Sequence, residues 1–397
     1  MGCGSSQSIQ TSDMSGEPDP FFDLIIDESL QRNEWPEEKE KKYRQDEKQS
    51  LMLKTMNKEM FERFKNHKTA VAGWTIARAI NTGIMYPGSF VGCHAGDLES
   101  YTDYKELFNP VIEAYHKGFK MDGSCRHVTD LDSSKMQNTL SGSAKGRIIS
   151  TRIRVARNLS MFPLNPGGTK ETRLEIADLM GKVFGTLDGD LAGQFFRHSN
   201  MTPEQEKQLV DDHFLFKGRD KMQAASGYHQ HWPHGRGIFL NAEKTFLLWI
   251  NEGDHCRIIS MEQGGDVKRV FDRLAAGIAA IEAGVKKVTG KEKAFMTHDI
   301  IGCITCCPSN IGTGMRGSVH IKVPLLIAKH GLEGLDAMCR EKNCQARGTM
   351  GEHTQVIDRI DVSNWRRLGF PEYQLVDNMI ETVNLLAQME DELEAQA

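Results

Sequence analysis

The chain has 397 residues, enough for more than one domain, and 39% of them are hydrophobic, which is typical of a globular protein. Its formal net charge is −5 and its isoelectric point is near 6.3, so the sequence has no basic footprint for DNA or RNA and we expect no nucleic-acid partner. The nine cysteines are scattered and odd in number, which argues against a disulfide framework and for reduced thiols.

The N-terminus carries a lipidation pattern. Gly2 would be exposed once Met1 is removed, Ser6 lies at the favoured position for myristoylation, and Cys3 could take a palmitate. One myristate binds a membrane only marginally, whereas two acyl chains anchor stably. The alternative is a polar, unmodified tail. Residues 37–48 form a nearly unbroken charged run, which is typical of a disordered tether or of a solvated helix, and we predict that residues 1–55 are a disordered, acylated extension.

A small helical domain is predicted over residues 56–125. Apolar residues recur at helical spacing from Met60 through Phe61 and Phe64, and a second helical pattern covers 104–115. Residues 126–146 are polar and rich in Ser, Gly, Asp and Lys, which indicates a linker.

The remaining part, residues 147–397, is predicted to form a larger domain. Segments 147–155, 237–240, 245–251 and 256–261 alternate or follow short polar turns, as in an antiparallel meander. Apolar stripes at helical spacing run from Val267 to Ile281 and from Val376 to Leu386, and these helices should cover the sheet. The predicted fold class is α+β: a small all-helical N-terminal domain, and a larger domain with an antiparallel β-sheet flanked by helices.

The segment 303–322 carries the densest chemical signal. Cys307, a nucleophile-like thiol, precedes a Pro-Ser-Asn turn and a glycine-rich stretch whose amides could approach phosphate. Arg316, Ser318, His320 and Lys322 then fall on alternate positions of a strand, which puts them on one face. A strand with apolar residues on the side facing the core, and with Arg316 and His320 on the opposite side, is suited to bind an anion. Cysteine spacing here does not repeat elsewhere as a zinc site would, so no protein-bound metal is predicted.

The same segment resembles the signature of the phosphagen (guanidino) kinases. Further pieces in the family's order occur at 150–154, 211–216, 232–239, 251–257 and 347–353, and the resemblance covers roughly 57–393. It implies a transfer of the γ-phosphoryl group of ATP to a guanidinium. The chain has no GxxxxGK[ST] loop, so Mg²⁺ is expected to arrive bound through ATP oxygens and water.

The resemblance assigns residues to ATP. Phosphoryl transfer needs positive charge around the phosphates, because its transition state spreads charge over several oxygens. The implied nucleotide-binding residues are Ser150, Arg152, Arg154, His213, Arg257, Arg316, Ser318, His320, Arg347, Met350 and His353. Arg152 and Arg154 alone indicate an anion site, since two guanidinium groups on one strand face repel unless an anion lies between them.

The resemblance also assigns an acceptor site. Cys307, Glu352, Glu252 and Arg316 are its implied catalytic residues, with the pKa of Cys307 lowered by nearby cations and by Ser309. Cys306 is expected to be buried and inert. The implied guanidino-binding residues are Phe90, Val91, Gly92, Cys93, His94, Cys307 and Glu352. A glutamate at 352 is similar to the arginine kinase form, which favours L-arginine as the acceptor.

Two positions depart from the family pattern. Gly253 stands where a second glutamate contacts the guanidinium, and His94 stands where arginine kinases have tyrosine. Three interpretations follow: a rebuilt site in which Glu352, Glu252 and His94 share the work, another guanidino acceptor such as taurocyamine, or a catalytically weakened nucleotide-binding scaffold. The favoured interpretation is an arginine-dependent phosphagen kinase at the cytoplasmic face of a membrane, for example in a cilium or flagellum, or otherwise in the cytoplasm.

Overall fold

The computed structural model describes residues 18–212, 214–216, 218–348 and 358–396. Its N-terminal part is helical. The helices are α1 (Glu28–Gln31), α2 (Glu37–Tyr43), α3 (Leu51–Thr55), α4 (Lys58–Phe64), α5 (Ile76–Met85), α6 (Ser100–Asp103) and α7 (Lys105–Tyr115). Side-chain caps start several of them: Asp27, Ser50, Asn57 and Thr75 each accept hydrogen bonds from backbone N–H groups of the first turn.

The prediction of a disordered extension is wrong for residues 18–55. Leu30, Trp35 and Tyr43 are buried in the core of the helical domain, and the Tyr43 hydroxyl donates to the backbone oxygen of Ile84 at 2.7 Å. The prediction was wrong because the charges of this run stay at the surface while one leucine and two aromatic residues, widely spaced along the chain, point inward. Residues 1–17, with Gly2 and Cys3, lie outside the described residues.

The larger domain is built on an antiparallel sheet, as predicted. Its strand order is β2-β3-β4-β5-β1-β8-β10-β9, and β6 pairs with β7 separately. The strands are β1 (Ile148–Arg157), β2 (Gly193–Arg197), β3 (Gly237–Asn241), β4 (Phe246–Ile250), β5 (Cys256–Gln263), β6 (Thr297–His298), β7 (Gly302–Cys303), β8 (Met315–Lys322), β9 (Cys344–Arg347) and β10 (Arg359–Asn364).

Helices cover one face of this sheet. The remaining helices are α8 (Gly142–Arg147), α9 (Lys170–Phe184), α10 (Pro203–Asp211), α11 (Lys221–Ser226), α12 (Val267–Thr289), α13 (Pro324–Glu341) and α14 (Glu372–Glu394). The two predicted apolar stripes are the buried faces of α12 and α14, and they pack with Ile153, Val155 and Val319 into one core. Every second residue of β1 and β8 therefore points toward the helices, and the residues between them point to the opposite face of the sheet.

The segment 126–146 connects the two domains along α14. The backbone amides of Gln137 and Asn138 donate to Asp377, and the amide of Ser141 donates to Asn384. Its last residues already belong to α8, which begins at Gly142. These hydrogen bonds hold the connection against the larger domain.

The helical domain also contacts the functional segment directly. Its core continues into Ile304 and Cys306, and the Tyr101 hydroxyl donates to the backbone oxygen of Thr305 at 2.8 Å. The amide of Ala95 donates to the oxygen of Cys306 at 2.8 Å. The two domains therefore meet at the chain around Cys307. In the part of the chain that the structure describes, no helix is long and apolar enough to cross a bilayer.

Candidate active site

Arginines from three adjacent strands share the face of the sheet that the helices leave open. In the β1–β8 register Arg154 lies opposite Arg316, and Arg152 lies opposite Ser318. Arg257 on β5 lies opposite Ala156, one pleat further along the same face of β1. The predicted period-two pattern thus brings the four arginines together.

The charge of this cluster is only partly compensated. The pKa of Arg152 is lowered to about 10, first by burial and then by Arg316, with Asp361 opposing the shift. The pKa of Arg154 is lowered well below its ordinary value by burial and then by Arg152, Arg257 and Arg316. A pKa moves this way when a cation is desolvated among other cations. The free protein therefore holds positive charge that an anion would stabilise.

Two carboxylates anchor the edges of the cluster. Burial alone would lower the pKa of Arg257, but Glu252 and Asp254 outweigh it and the net shift is upward. The Arg257 Nε donates to Glu252 Oε2 at 3.2 Å. On the other side Arg316 Nη2 donates to Asp361 Oδ1 at 2.9 Å. These contacts fix the direction of both guanidinium groups.

The outer end of the face is polar and less crowded. His320 lies opposite Ser150 on one side and Asp361 on the other, with 3.5 Å between His320 Nε2 and the Asp361 carboxylate. Arg347 on β9 lies opposite Asp361 on the neighbouring strand β10. Ser150, Ser318, His320 and Arg347 therefore continue the arginine cluster toward the sheet edge. His213, Met350, Glu352 and His353 lie outside the described residues.

Cys307 lies at the end of the cluster where the two domains meet. It precedes a single 3₁₀ turn, Pro308–Asn310, and its Sγ is 3.0 Å from Ser309 Oγ. Burial raises the pKa of the Cys307 thiol, and the Ser309 hydrogen bonds oppose this shift. The expectation of a lowered pKa is thus wrong for the free protein, because desolvation exceeds the effect of Ser309. Cys306 is fully buried and donates to the Gly253 oxygen, which agrees with an inert role.

The predicted acceptor loop, residues 89–94, lies beside the chain that carries Cys307. Gly92 has a left-handed φ of +81° and its oxygen accepts from Gly83, which lets Val91 and Cys93 turn into the core. His94 is buried, its Nδ1 is 3.2 Å from Thr82 Oγ1, and burial lowers its pKa to about 4. Phe90 remains 75% exposed at the tip. His94 is therefore a neutral group on the acceptor side.

The turn 251–255 carries the departure from the family pattern. The Asp254 carboxylate accepts from the amide of Cys306 and from Asn158 Nδ2, both at 2.9 Å, so it positions the chain that leads to Cys307. Gly253 faces the ring of Tyr228: a Cβ atom there would lie 3.0 Å from Tyr228 Cε2. Glu252 points to Arg257.

Three residues of this region were missed from the sequence. Tyr228 is buried against Gly253, Asp361 pairs with Arg316 and His320, and Arg367 donates to the Ser309 oxygen at 2.8 Å. Asp361 lies in an alternating run opposite Ser318 and His320, so strand pairing could have suggested it. Tyr228 and Arg367 come from distant segments without a local pattern. Within the described ranges, no group of three or more His, Cys, Asp and Glu side chains is arranged to hold a metal ion.

Comparison with known families identifies both domains. Residues 46–113 match the N-terminal domain of the ATP:guanido phosphotransferases, and residues 175–393 match their C-terminal catalytic domain. The first match starts in the segment that we expected to be disordered.

Individual relatives are similar over most of the chain. An arginine kinase of Penaeus japonicus is 40% identical over 346 residues, which cover 87% of this chain and 94% of the relative. An arginine kinase of Anthopleura japonica is 42% identical over 349 residues and 86% of this chain, and this chain spans about half of it, 47%.

Solved structures with the same fold act on other acceptors by their titles. A lombricine kinase has a TM-score of 0.81 and 39% sequence identity, covering 87% of this chain and 93% of its own. The duplicated taurocyamine kinase of Schistosoma mansoni has a TM-score of 0.81 and 35% identity, covering 94% of this chain and 50% of its own.

Proposed function

Because this chain belongs to the ATP:guanido phosphotransferase family and is a phosphagen kinase, we propose that its acceptor is L-arginine. The reaction would convert MgATP and L-arginine reversibly into MgADP and phosphoarginine. The observation that carries the phosphoryl-transfer chemistry is the cluster of four arginines whose charge is only partly compensated, with Cys307 at its end. The choice of arginine is supported by relatives of that activity at about 40% identity.

The arginines would bind and neutralise the polyphosphate. In this cluster the pKa values of Arg152 and Arg154 are lowered by burial and by neighbouring arginines, so a bound anion would stabilise their charge. Arg257, Arg316 and Arg347 would complete the cradle from neighbouring strands. Mg²⁺ would enter as part of the substrate, since it keeps phosphate and water ligands in preference to an all-protein cage. Such an arrangement lowers the barrier chiefly through position and charge.

The acceptor would lie between Cys307 and the cluster. In a direct in-line transfer, a guanidinium nitrogen forms a bond to the γ-phosphorus while the bond from that phosphorus to the β,γ-bridging oxygen breaks, and the nitrogen loses a proton. No phosphoenzyme is needed. Cys307 would orient the planar guanidinium, whose charge favours the thiolate form of this thiol. Glu252 and Glu352 are the carboxylates proposed to position it and to take the proton.

A second acceptor has specific support. Gly253 supplies no carboxylate, His94 is neutral, and two similar solved structures are by title a lombricine kinase and a taurocyamine kinase. A guanidino compound other than arginine would explain these acceptor contacts, and a weakened scaffold would explain Gly253. The retained arginine cluster favours an active enzyme over the scaffold.

A parallel acceptor screen separates these functions. ADP formation from MgATP would be followed with arginine, creatine, glycocyamine, taurocyamine and lombricine. We expect the highest kcat/KM with arginine. Preference for another compound would reassign the acceptor, and binding of MgATP without turnover on any of them would favour the scaffold.

The N-terminal pattern supports a further proposal on location. Gly2 and Cys3 would carry myristate and palmitate, and two acyl chains suffice for stable anchoring at a membrane surface. The enzyme would then supply phosphoryl groups beside an ATP consumer such as a motile cilium or an ion pump.

A further inference from the structure

We infer that the Tyr228 hydroxyl is a direct ligand of the acceptor guanidinium and occupies the place of the carboxylate that Gly253 does not supply. The inference deepens the proposed function and rests on it. Tyr228 belongs to no sequence motif, and its role follows from where its ring lies.

The backbone holds Tyr228 in a fixed place. It follows α11, whose end is turned by Gly227 at φ +95°, and its amide donates to the Gln223 oxygen at 3.1 Å. The backbone oxygen of Tyr228 accepts a hydrogen bond from Nη2 of the buried Arg236 at 2.7 Å. The side chain is 3% exposed. Its direction toward the turn 251–255 is therefore fixed by the fold before any substrate binds.

The ring occupies the space that a side chain at position 253 would need. A Cβ atom on Gly253 would lie 3.0 and 3.1 Å from Tyr228 Cε2 and Cδ2. The Gly253 oxygen accepts from Asn165 Nδ2 at 3.1 Å and from Cys306 Sγ at 3.4 Å, so this backbone cannot retreat freely. A side chain at position 253 therefore requires the Tyr228 ring to shift by a few tenths of an ångström, and the two positions are coupled.

The hydroxyl itself lacks a partner. Among the residues that the structure describes, none makes a hydrogen bond with the buried hydroxyl oxygen of Tyr228. A buried hydroxyl is normally hydrogen-bonded, and leaving one unpaired is unfavourable. The ionisable groups that interact electrostatically with the hydroxyl belong to the acceptor side: Cys306, Asp254, Cys307 and Arg257. The Tyr228 ring packs edge to face against the His94 ring, with 5.3 Å between the ring centroids. An incoming ligand is the partner that this site lacks.

The chemistry suits a guanidinium. Burial, and then the neighbouring thiols and Asp254, raise the pKa of Tyr228 well above its ordinary value, so the phenol is neutral at physiological pH. A neutral phenol oxygen can accept one N–H of a guanidinium and keeps its own proton to donate. It supplies direction without the charge of a carboxylate. Cys307 and Glu252 would then carry the electrostatic part of acceptor binding.

The direct test removes only the hydroxyl. Arginine binding to the full-length protein would be measured by calorimetry with MgADP and nitrate, a planar anion that stands in for the transferred phosphoryl group. Tyr228→Phe should weaken arginine binding and raise the KM for arginine by about tenfold, the effect of one hydrogen bond to a charged group, with the KM for ATP unchanged. Its melting temperature without ligands should not fall, because the lost hydroxyl had no partner.

A matched control is Tyr43→Phe. Tyr43 is also buried, but its hydroxyl is bonded to the Ile84 oxygen, so this change should lower stability and leave the KM for arginine unaltered. An unchanged arginine affinity in Tyr228→Phe, with an active parent protein, would overturn the role of Tyr228 alone. A parent protein that neither binds nor phosphorylates arginine or any other guanidino compound would overturn the proposed function and this inference together.

The pairing of positions 228 and 253 supplies a second test. Gly253→Glu should lower both the melting temperature and the arginine affinity, since its side chain meets the Tyr228 ring. Adding Tyr228→Ala should recover a large part of both. Independent, additive effects of the two changes would contradict the pairing.

Discussion

At the scale of single residues, the function depends on charge that the free protein leaves partly uncompensated. Arg154 is half-buried beside three other arginines, and Glu252 offsets their repulsion only in part. Such a residue destabilises the free protein and is useful only when an anion arrives. Stability and activity should therefore respond in opposite directions to its removal.

Arg154→Ala tests this opposition. We expect the melting temperature without ligand to stay level or rise, while kcat/KM for MgATP falls by about 10²-fold or more, the usual effect of removing a cation from a transition-state site. The control is Arg147→Ala at the end of α8. Arg147 pairs with Asp391 and Glu394 at 2.5 Å on the surface, so its loss should lower stability slightly and leave kcat/KM unchanged. A fall in stability for Arg154→Ala with unaltered activity would contradict this view.

Ser309 should tune the Cys307 thiol. Its hydrogen bonds lower the pKa of Cys307 against the larger effect of burial, so Ser309→Ala should raise that pKa further. A higher pKa means less thiolate at a given pH, and the midpoint of iodoacetamide alkylation at Cys307 should move to higher pH. Mass spectrometry of the Cys307 peptide would measure this, with parent protein as the reference. An unshifted midpoint would exclude a role for Ser309.

At the scale of elements, strand alternation indicates which side chains share a face. Period two places Arg152 with Arg154 on one face of β1 and Arg316 with Ser318 on one face of β8, and the antiparallel β1–β8 register then sets Arg154 against Arg316. That register depends on pairing between segments some 160 residues apart, which no local pattern reveals. The contact between Tyr228 and Gly253 could not be predicted either, because it also joins segments that no local pattern connects.

The N-terminal segment shows the opposite case. Composition predicted disorder up to residue 55, yet Phe22 is 7% exposed and packs with Phe214, Phe216 and Trp232 of the catalytic domain. The prediction followed the charged run at 37–48, and long-range contacts of a few aromatic residues outweighed that composition. This segment therefore joins the two domains.

Phe22→Ala should destabilise the protein by about 3 kcal/mol, the usual effect of truncating a buried phenylalanine. Urea unfolding would measure the loss. Phe90→Ala is the matched control, because the same atoms are removed from a side chain that is 75% exposed. Equal stability of the two variants would show that residues near 22 do not contribute to the fold.

At the scale of the whole molecule, the fold class followed from the sequence. Alternating segments predicted the antiparallel sheet, and the apolar stripes predicted α12 and α14. The meeting of the helical domain with Cys307, through Ala95 and Tyr101, could not be read from the chain because it depends on how the two domains pack.

The proposed membrane attachment would be a property of the whole chain. Intact mass measurement after expression in a eukaryotic cell should show a myristoyl group on Gly2, and the protein should float with lipid vesicles. Gly2→Ala should abolish flotation, and Cys3→Ser should reduce it, since one chain binds only marginally. Neither change should alter kcat with arginine. An unacylated N-terminus in the parent protein would contradict the tether.

Phosphoryl transfer to a guanidinium nitrogen is the activity on which the proposed function depends. Phosphorus NMR of the purified protein with MgATP and L-arginine would observe it directly. We expect loss of the γ-phosphorus signal of ATP, and equal growth of the signals of ADP and of a phosphorus atom bonded to nitrogen, reversed by adding excess MgADP. Release of inorganic phosphate alone, or an ATP spectrum unchanged with arginine and every other guanidino acceptor, would contradict it.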